Sequence, residues 1–553
     1  MNEHRSLYRK VGYVVLIGIL FVPLYMLGHP ASIDAENNRA PGGTLAKFRD
    51  EHNLSQATLG EIDPTSQAIE VATLGLRGVA VQILWNSAQK YKMKEDWASC
   101  KATVLQITRL QPNFWSVWDF LVHDLAYNIS VEFDDYRDRF YWVMDGINFL
   151  KDGVKYNATD PRFLAKVGWV YGNKIGRADE HVQYRRLFRK QQEEKGEKLT
   201  DNWLVSNDWY KQAEKLVDSG VPLRVYIGEG QDNRRAKPGD KAPSPVLFFS
   251  EAPMALINYA DTLEDEGTFD SAAKNAWQNA AEAWEKYSHR DLATAYGYTV
   301  RLADLDQYRA DHDDKVKKLE ALLPGEMKKL RDEKLSKLTP EERRIEEKDP
   351  ADRTVEERNQ VAEAEIKSTV GWEEVALQAP EKLRPEARRL AEQISERHQQ
   401  MMTIDTYRDI VNFNYWLARC QSEPTEDCLE ARKLIYNAGK KYDNGELFEA
   451  KDLYEKAFEK WRKVLDDYPV LRENNIMADD LVDEINKYKQ AIGKIGAKLP
   501  DPFVLQDMID LNAGKKPGEA KKPDAPEGEK PKDEKPADSA PDAKKKAESG
   551  TEA

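Results

Sequence analysis

Hydrophobic and polar positions follow distinct regimes along the 553-residue chain. Val11 to Gly28 (VGYVVLIGILFVPLYMLG) carries no charge. At ~1.5 Å per residue this run makes a helix of roughly 27 Å, enough for a bilayer core. Arg5, Arg9 and Lys10 precede it, and Asp34 and Glu36 follow. This asymmetry places residues 1–10 in the cytoplasm, 11–28 in the cytoplasmic membrane as a single-pass anchor, and the bulk of the chain on the extracytoplasmic side. A cleaved signal peptide ending near Ala31-Ser32 is the competing reading, against which the length of the apolar run argues. Residues 29–67 are polar and read as a spacer. Residues 68–310 are helical in pattern and rich in Trp, Tyr and Ala, and 400–512 form a second helical core. Between these cores, 311–399 is a charged helical arm. Thr339-Pro340-Glu341-Glu342 and Thr354-Val355-Glu356-Glu357 predict helix starts with capping boxes. Pro324, Pro340, Pro350, Pro380 and Pro385 divide the arm into short helices. A Pro/Gly-rich insertion, 222–253, interrupts the first core; its β-like runs Arg224–Ile227 and Val246–Phe249 predict a small hairpin.

Helix pairs recur with one arrangement: small and large residues three apart, a turn, then an aromatic, a small residue and a closing Pro. The first pair places Ala88 and Tyr91, the turn Glu95-Asp96, Trp97, Cys100, Val104, Ile107 and Pro112 in that order. Leu164, Val167-Gly168 and Tyr171 open another unit. Ala260, Leu263, Gly267, Phe269, Ala272 and Ala276 form a third, and Ala438, Gly445, Ala450, Tyr454, Ala457 and Pro469 a fourth. The pattern resembles the tetratricopeptide-repeat (TPR) superfamily, with divergent units and irregular spacing. A generic helical bundle is the alternative. The stretches Gly75–Ala80, Leu110–Phe120, Ala126–Asn128, Val131–Arg139, Asp201–Val205, Pro253–Ala255, Asn414–Trp416 and Arg419-Cys420 also resemble membrane-anchored repeat proteins of planctomycete-type bacteria. That resemblance implies no established activity.

Composition narrows the function. The net charge of −14 argues against nucleic acid as the main partner. Charge concentrates in the arm, while ten of the 13 Trp lie between residues 85 and 284. The tail, 513–553, has balanced Lys and acidic residues and no aromatic, so it is expected to be disordered. Three cysteines exclude a disulfide framework. Cys420 and Cys428 flank a turn, and an oxidised pair there would staple a helix hairpin, adding at most ~3 kcal/mol. The GxSxG, HExxH, P-loop and CxxC motifs are absent, and Gly228-Glu229-Gly230 is followed by Asn233 where GxGxxG needs Gly. No catalytic residue, cofactor or metal ligand is assigned.

The cluster Glu132, Asp134, Asp135, Arg137, Asp138 and Arg139 among aromatics reads either as a recognition patch or as a helix start with an Asp cap. The sequence is thus read as all-α: a TPR-like helical-hairpin solenoid with a transmembrane helix and a disordered tail. Its expected role is a non-enzymatic scaffold holding a protein or peptide partner, with Asn86, Trp118, Asn128 and Arg137 as groove residues. The alternative is an enzyme whose cleft joins the 222–253 loop to the 131–139 cluster.

Overall fold

The computed structural model describes residues 77–221, 223, 245–294, 296–349 and 353–514, with a few short stretches before residue 77. The 11–28 anchor apart from Pro23, most of the spacer, the run Arg224–Ile227 and the tail beyond 514 lie outside the described residues. Among the described residues no helix is long and apolar enough to cross a membrane. They are mostly helical. Two short antiparallel ladders stand apart, β1 (Ser32–Ile33) with β2 (Arg39–Ala40) and β3 (Leu292–Ala293) with β4 (Thr299–Val300).

The first core opens with the pair α1 (Arg77–Lys92) and α2 (Trp97–Leu110). Asp96 caps α2 by accepting from Ser99 N, and Ala88, Cys100, Val104 and Ile107 are buried between the two helices and their neighbours. α3 (Trp115–His123) runs directly into a π-helix, π1 (Asp124–Ile129), and a 3₁₀ turn. α4 (Tyr136–Tyr156) follows, then α5 (Pro161–Val170), which runs into a second π-helix, π2 (Tyr171–Ile175). α6 (His181–Lys195) and α7 (Asn202–Asp218) complete this part.

Glycine lets α7 approach α5 and π2. A Cβ on Gly168, Gly172 or Gly176 would come within 2.9, 2.6 and 2.5 Å of Ser206 or Trp203 atoms. Four-residue spacing puts the three on one face, so the Trp203 ring lies flat against bare backbone. A π-helix shifts carbonyls out of register with their usual donors. α7 supplies replacements: Asn202 Nδ2 donates to Tyr171 O at 3.2 Å and Ser206 Oγ to Gly168 O at 2.7 Å.

After the undescribed stretch come α8 (Pro245–Asp265) and α9 (Ser271–Ser288). The run Val246–Phe249, expected as a strand, is the first turn of α8. Pro245 begins the helix, and Val246 and Phe249, three apart, share the buried face. Pro253 lies inside α8, and Asn207 Nδ2 donates to the neighbouring Ala252 O at 2.6 Å. The small residue of α9 that packs inward is Ala273; Ala272, one position earlier, is exposed.

The arm region contains α10 (Leu305–Leu322), α11 (Glu326–Ser336), α12 (Pro340–Glu347), α13 (Val355–Ser368), α14 (Trp372–Leu377) and α15 (Arg384–Ile410). Both expected capping boxes are present, at Thr339 with Glu342 and at Thr354 with Glu357. α10, α14 and α15 enclose a small core of their own around Leu319, Val375, Leu390 and Ile394. The last part comprises α16 (Phe413–Ser422), α17 (Glu426–Asp443), α18 (Leu447–Asp467), α19 (Pro469–Arg472), α20 (Asn475–Lys494) and α21 (Gln506–Asn512). α17 and α18 pack as a hairpin with Ala438, Ala450, Tyr454 and Ala457 buried. Gly267, in the α8–α9 turn at φ +87°, touches this part: a Cβ there would sit 2.4 Å from the Tyr436 hydroxyl.

Gly172→Ala is expected to cost ~1–3 kcal/mol by overpacking against Trp203. Gly493 in α20 has nothing within 4 Å of a built Cβ. There, Ala is expected to stabilise by up to ~1 kcal/mol. Urea unfolding of the two variants against the parent chain measures both signs.

Candidate functional site

Two polar constellations stand out among the described residues, one half-exposed and one buried.

The first follows the two π-helices. Three rings stand in a ladder at the α3–π1 and α5–π2 junctions: His123 at the end of α3, Tyr127 in π1 and Trp169 near the end of α5. His123 stacks on Tyr127 with centroids 5.2 Å apart, and Tyr127 on Trp169 at 5.8 Å. Lys174 Nζ lies 4.7 Å from the Tyr127 centroid and Lys166 Nζ 4.4 Å from that of Trp169. Tyr127 donates its hydroxyl to Asn173 Oδ1 at 2.7 Å, joining π1 to π2. Lys166 is fixed by Asp119 at 2.9 Å. Lys174 is only 7 % exposed, and burial pulls its ammonium below the usual lysine range, with Glu180 acting in the opposite sense. Arg139 extends the strip by pairing with Glu180 and donating to Phe133 O at 2.5 Å. Phe133 stacks on Trp142 at 5.9 Å, and the 63 %-exposed Tyr141 meets Trp142 edge-on at 5.8 Å. The three rings and Asn173 are half-buried and form a half-open surface, with Lys166 and Lys174 buried against them as part of its hydrogen-bonded base. Such a surface can stack on planar groups and bind backbone amides.

The four expected groove residues do not converge. Asn128 belongs to this neighbourhood: it sits in π1 beside Tyr127 and donates to Asp124 Oδ1, which also accepts from Lys92 at 2.6 Å. Trp118 is 3 % exposed, so it is core, with its indole N–H donated to Pro112 O at 2.8 Å. Arg137 is exposed at the start of α4, where it pairs with Asp135 and stacks on Tyr136 at 4.8 Å. Asp135 caps α4 by accepting from Arg137 N, which is the helix-start reading of that cluster. Asn86 lies on the exposed side of α1 and accepts from Gln82 at 3.4 Å. The ring ladder was not singled out from sequence. Its elements lie some forty residues apart and each carries a π-helix, an extra residue per turn of which hydrophobic spacing carries no mark.

The second constellation is Glu423, 0 % exposed at the end of α16. Its carboxylate accepts from Arg432 at 2.6 and 3.2 Å, from Arg419 at 3.2 Å and from Cys428 Sγ at 3.0 Å. Arg419 also reaches Asp261 on α8 at 2.5 Å and lies over the Trp277 and Trp416 rings. Arg432 lies over Trp461. The Cys420–Cys428 disulfide that the spacing allowed is not formed. Both are buried free thiols, Cys420 in the α8–α9 core and Cys428 facing Glu423, each pushed up by burial. Burial opposes ionisation of Glu423, but Arg432 and then Arg419 outweigh it and hold this carboxyl below the usual range. Glu264, 3.7 Å from Arg432, goes the other way: burial, then the charge on Glu423, push it up to about 9. Its Oε1 accepts from Trp277 Nε1 at 2.9 Å. The node thus sets two guanidinium groups against the Glu423 carboxylate, with Glu264 as a neutral acid beside them. It joins α8 and α9 to α16, α17 and α18. Among the described residues no group of three or more His, Cys, Asp or Glu is arranged to hold a metal ion.

No family model and no curated protein matches this chain.

Removing Glu423 leaves Arg419 with Asp261 alone and Arg432 with no carboxylate nearer than Glu264 at 3.7 Å. Glu423→Ala is therefore expected to cost ~3–5 kcal/mol, read by thermal or urea unfolding. Glu264 keeps its proton in the folded chain up to about pH 9, whereas an unfolded glutamate loses it near 4.5. Across that window the folded state binds more protons, so the parent chain loses stability as pH rises. Glu264→Gln has no such proton to retain. Its melting temperature is expected to gain on the parent's from about pH 5 to 9 and to level off above; a constant difference across the window would contradict the assignment.

Proposed function

We propose that this chain is a scaffold of TPR-like helix hairpins that binds a protein partner. It would be held by residues 11–28 in the cytoplasmic membrane, with its helical body on the outer side. The observation that carries this reading is the half-open His123–Tyr127–Trp169 ladder with Lys166 and Lys174 over its faces. Aromatic rings and long cationic side chains on a rigid helical base are what interface hot spots are made of. The hairpins α1–α2, α8–α9 and α17–α18 support the repeat reading. Each buries small residues where its helices meet, and each turn is short. The ladder supplies stacking area, matching an extended segment with aromatic side chains. The 131–139 cluster contributes Arg139 and Phe133 to the strip's far end.

The test is site-specific photocrosslinking from position 123 in intact cells, with mass spectrometry of the adducts. Trp169→Ala with Tyr127→Ala is expected to reduce the dominant adduct about tenfold, while circular dichroism shows the helical fold retained. An adduct pattern untouched by both substitutions would sink the ladder as the binding surface. Protease accessibility of the body in spheroplasts tests the topology: digestion is expected, and protection would place the body in the cytoplasm.

A further inference from the structure

Two of the eight histidines meet in the arm region. His312 on α10 and His398 on α15 have ring centroids 6.0 Å apart, with the rings tilted by 42°. Trp372, the first residue of α14, meets the His312 ring edge-on at 6.2 Å. Trp372 also packs on the small core that α10, α14 and α15 enclose, so the pair stands at the edge of that core.

The nitrogens of this pair are not used up by the fold. His312 is 15 % exposed, and its Nδ1 lies 3.1 Å from Asp313 Oδ1. A carboxylate beside Nδ1 draws the imidazole proton there and leaves the lone pair on Nε2. That Nε2 is buried, and nothing among the described residues hydrogen-bonds to it. A buried acceptor without a donor is costly, so its persistence calls for a partner. His398 sits at an exposed position and makes no hydrogen bond or ion pair among the described residues. The charged neighbours are committed elsewhere. Arg397 and Lys315 both pair with Asp311, and Arg397 Nη1 also donates to Gln400.

A lone pair on imidazole takes either a proton donor or a borderline metal ion, and only the ion can be shared by two of them. With Zn–N bonds of ~2.0–2.1 Å, each ring centroid stands about 3.2 Å from the ion, so two imidazole ligands have centroids about 5–6.5 Å apart. The observed separation falls inside that range, and exposure leaves His398 free to turn its ring. Asp313 on Nδ1 is the outer carboxylate that a metal-bound imidazole commonly has, fixing its tautomer and raising its basicity. No third His, Cys, Asp or Glu completes a cage among the described residues. Water therefore fills the remaining positions, and the affinity is modest.

We infer that His312 and His398 bind one divalent cation of the imidazole-preferring class, such as Zn2+, between α10 and α15. The ion supplies the partner that Nε2 lacks and clamps two helices of the arm at the edge of its core.

The experiment uses the full-length chain in neutral detergent, stripped with EDTA, dialysed, and titrated calorimetrically with zinc chloride. A saturable site with Kd on the order of 10–100 µM is expected. Mg2+ and Ca2+, which prefer oxygen ligands, are expected to bind at least about a hundredfold more weakly. His398→Ala changes an exposed side chain, so the fold is expected to hold by circular dichroism while zinc binding weakens about tenfold or more. His312→Gln is expected to weaken it likewise, and should that buried change unfold the arm, His398→Ala alone decides. The inference is overturned by an absence of saturable zinc binding up to about 1 mM. Calcium binding as tight as zinc's would overturn it too, as would a zinc isotherm unchanged in His398→Ala.

Discussion

A carboxylate withdrawn from water must find its countercharges in the fold, and Glu423 is where this chain meets that demand. The cost of burying it is several kcal/mol before any partner is counted. Arg432 and Arg419 answer it from α17 and α16, and Arg419 passes the connection to Asp261 on α8. Tryptophans from α9, α16 and α18 cover the guanidinium faces. Apolar contact between these helices would tolerate sliding. Fork-shaped donors at fixed distances do not, so the node sets the register of the two helical cores as well as their attachment. Glu264 shows the limit of the arrangement: the two arginines hold Glu423 ionised, and Glu264 beside them keeps its proton.

The same logic of local compensation governs the π-helices. Each displaces carbonyls, and neighbours supply donors to them: Asn202 and Ser206 from α7 for π2, and Ser130 Oγ, donating to Ala126 O, for π1. Those repairs allow Tyr127 and Trp169 to stand level and half-open. The π-helical turns thereby underlie a surface of stacking rings, backed by the packing of α7 on Gly168, Gly172 and Gly176.

Much of the helical plan was legible from residue pattern. Thr339 and Thr354 announce their helices because a capping box is a purely local device, made by residues three apart. The inward positions Ala88, Cys100, Ala438 and Ala450 were readable from period alone. Val246–Phe249 misled because a short apolar run has no period long enough to separate strand from helix, and Pro245 tips the balance only when read as a helix start. Ala272 and Ala273 differ by 100° around the helix, a distinction that a run of two alanines hides. Trp118 looked like a groove residue because large aromatics serve both cores and surfaces, and Gly153, the residue that buries it, lies on another helix. The node was not visible either, since Asp261, Glu264, Arg419, Glu423 and Arg432 are five charges among 180 Lys, Arg, Asp and Glu residues, and only tertiary packing selects them.

The contact of Gly267 with Tyr436 has a consequence for how such a sequence can drift. The turn needs positive φ, and the tyrosine hydroxyl fills the space a side chain would take. Neither position is free to change alone. A smaller residue at 436 opens room without relieving the backbone, and a side chain at 267 meets both obstacles at once. In an alignment of relatives sharing this junction, the two columns would vary together or not at all, a signature that ties turn to helix across about 170 residues of chain.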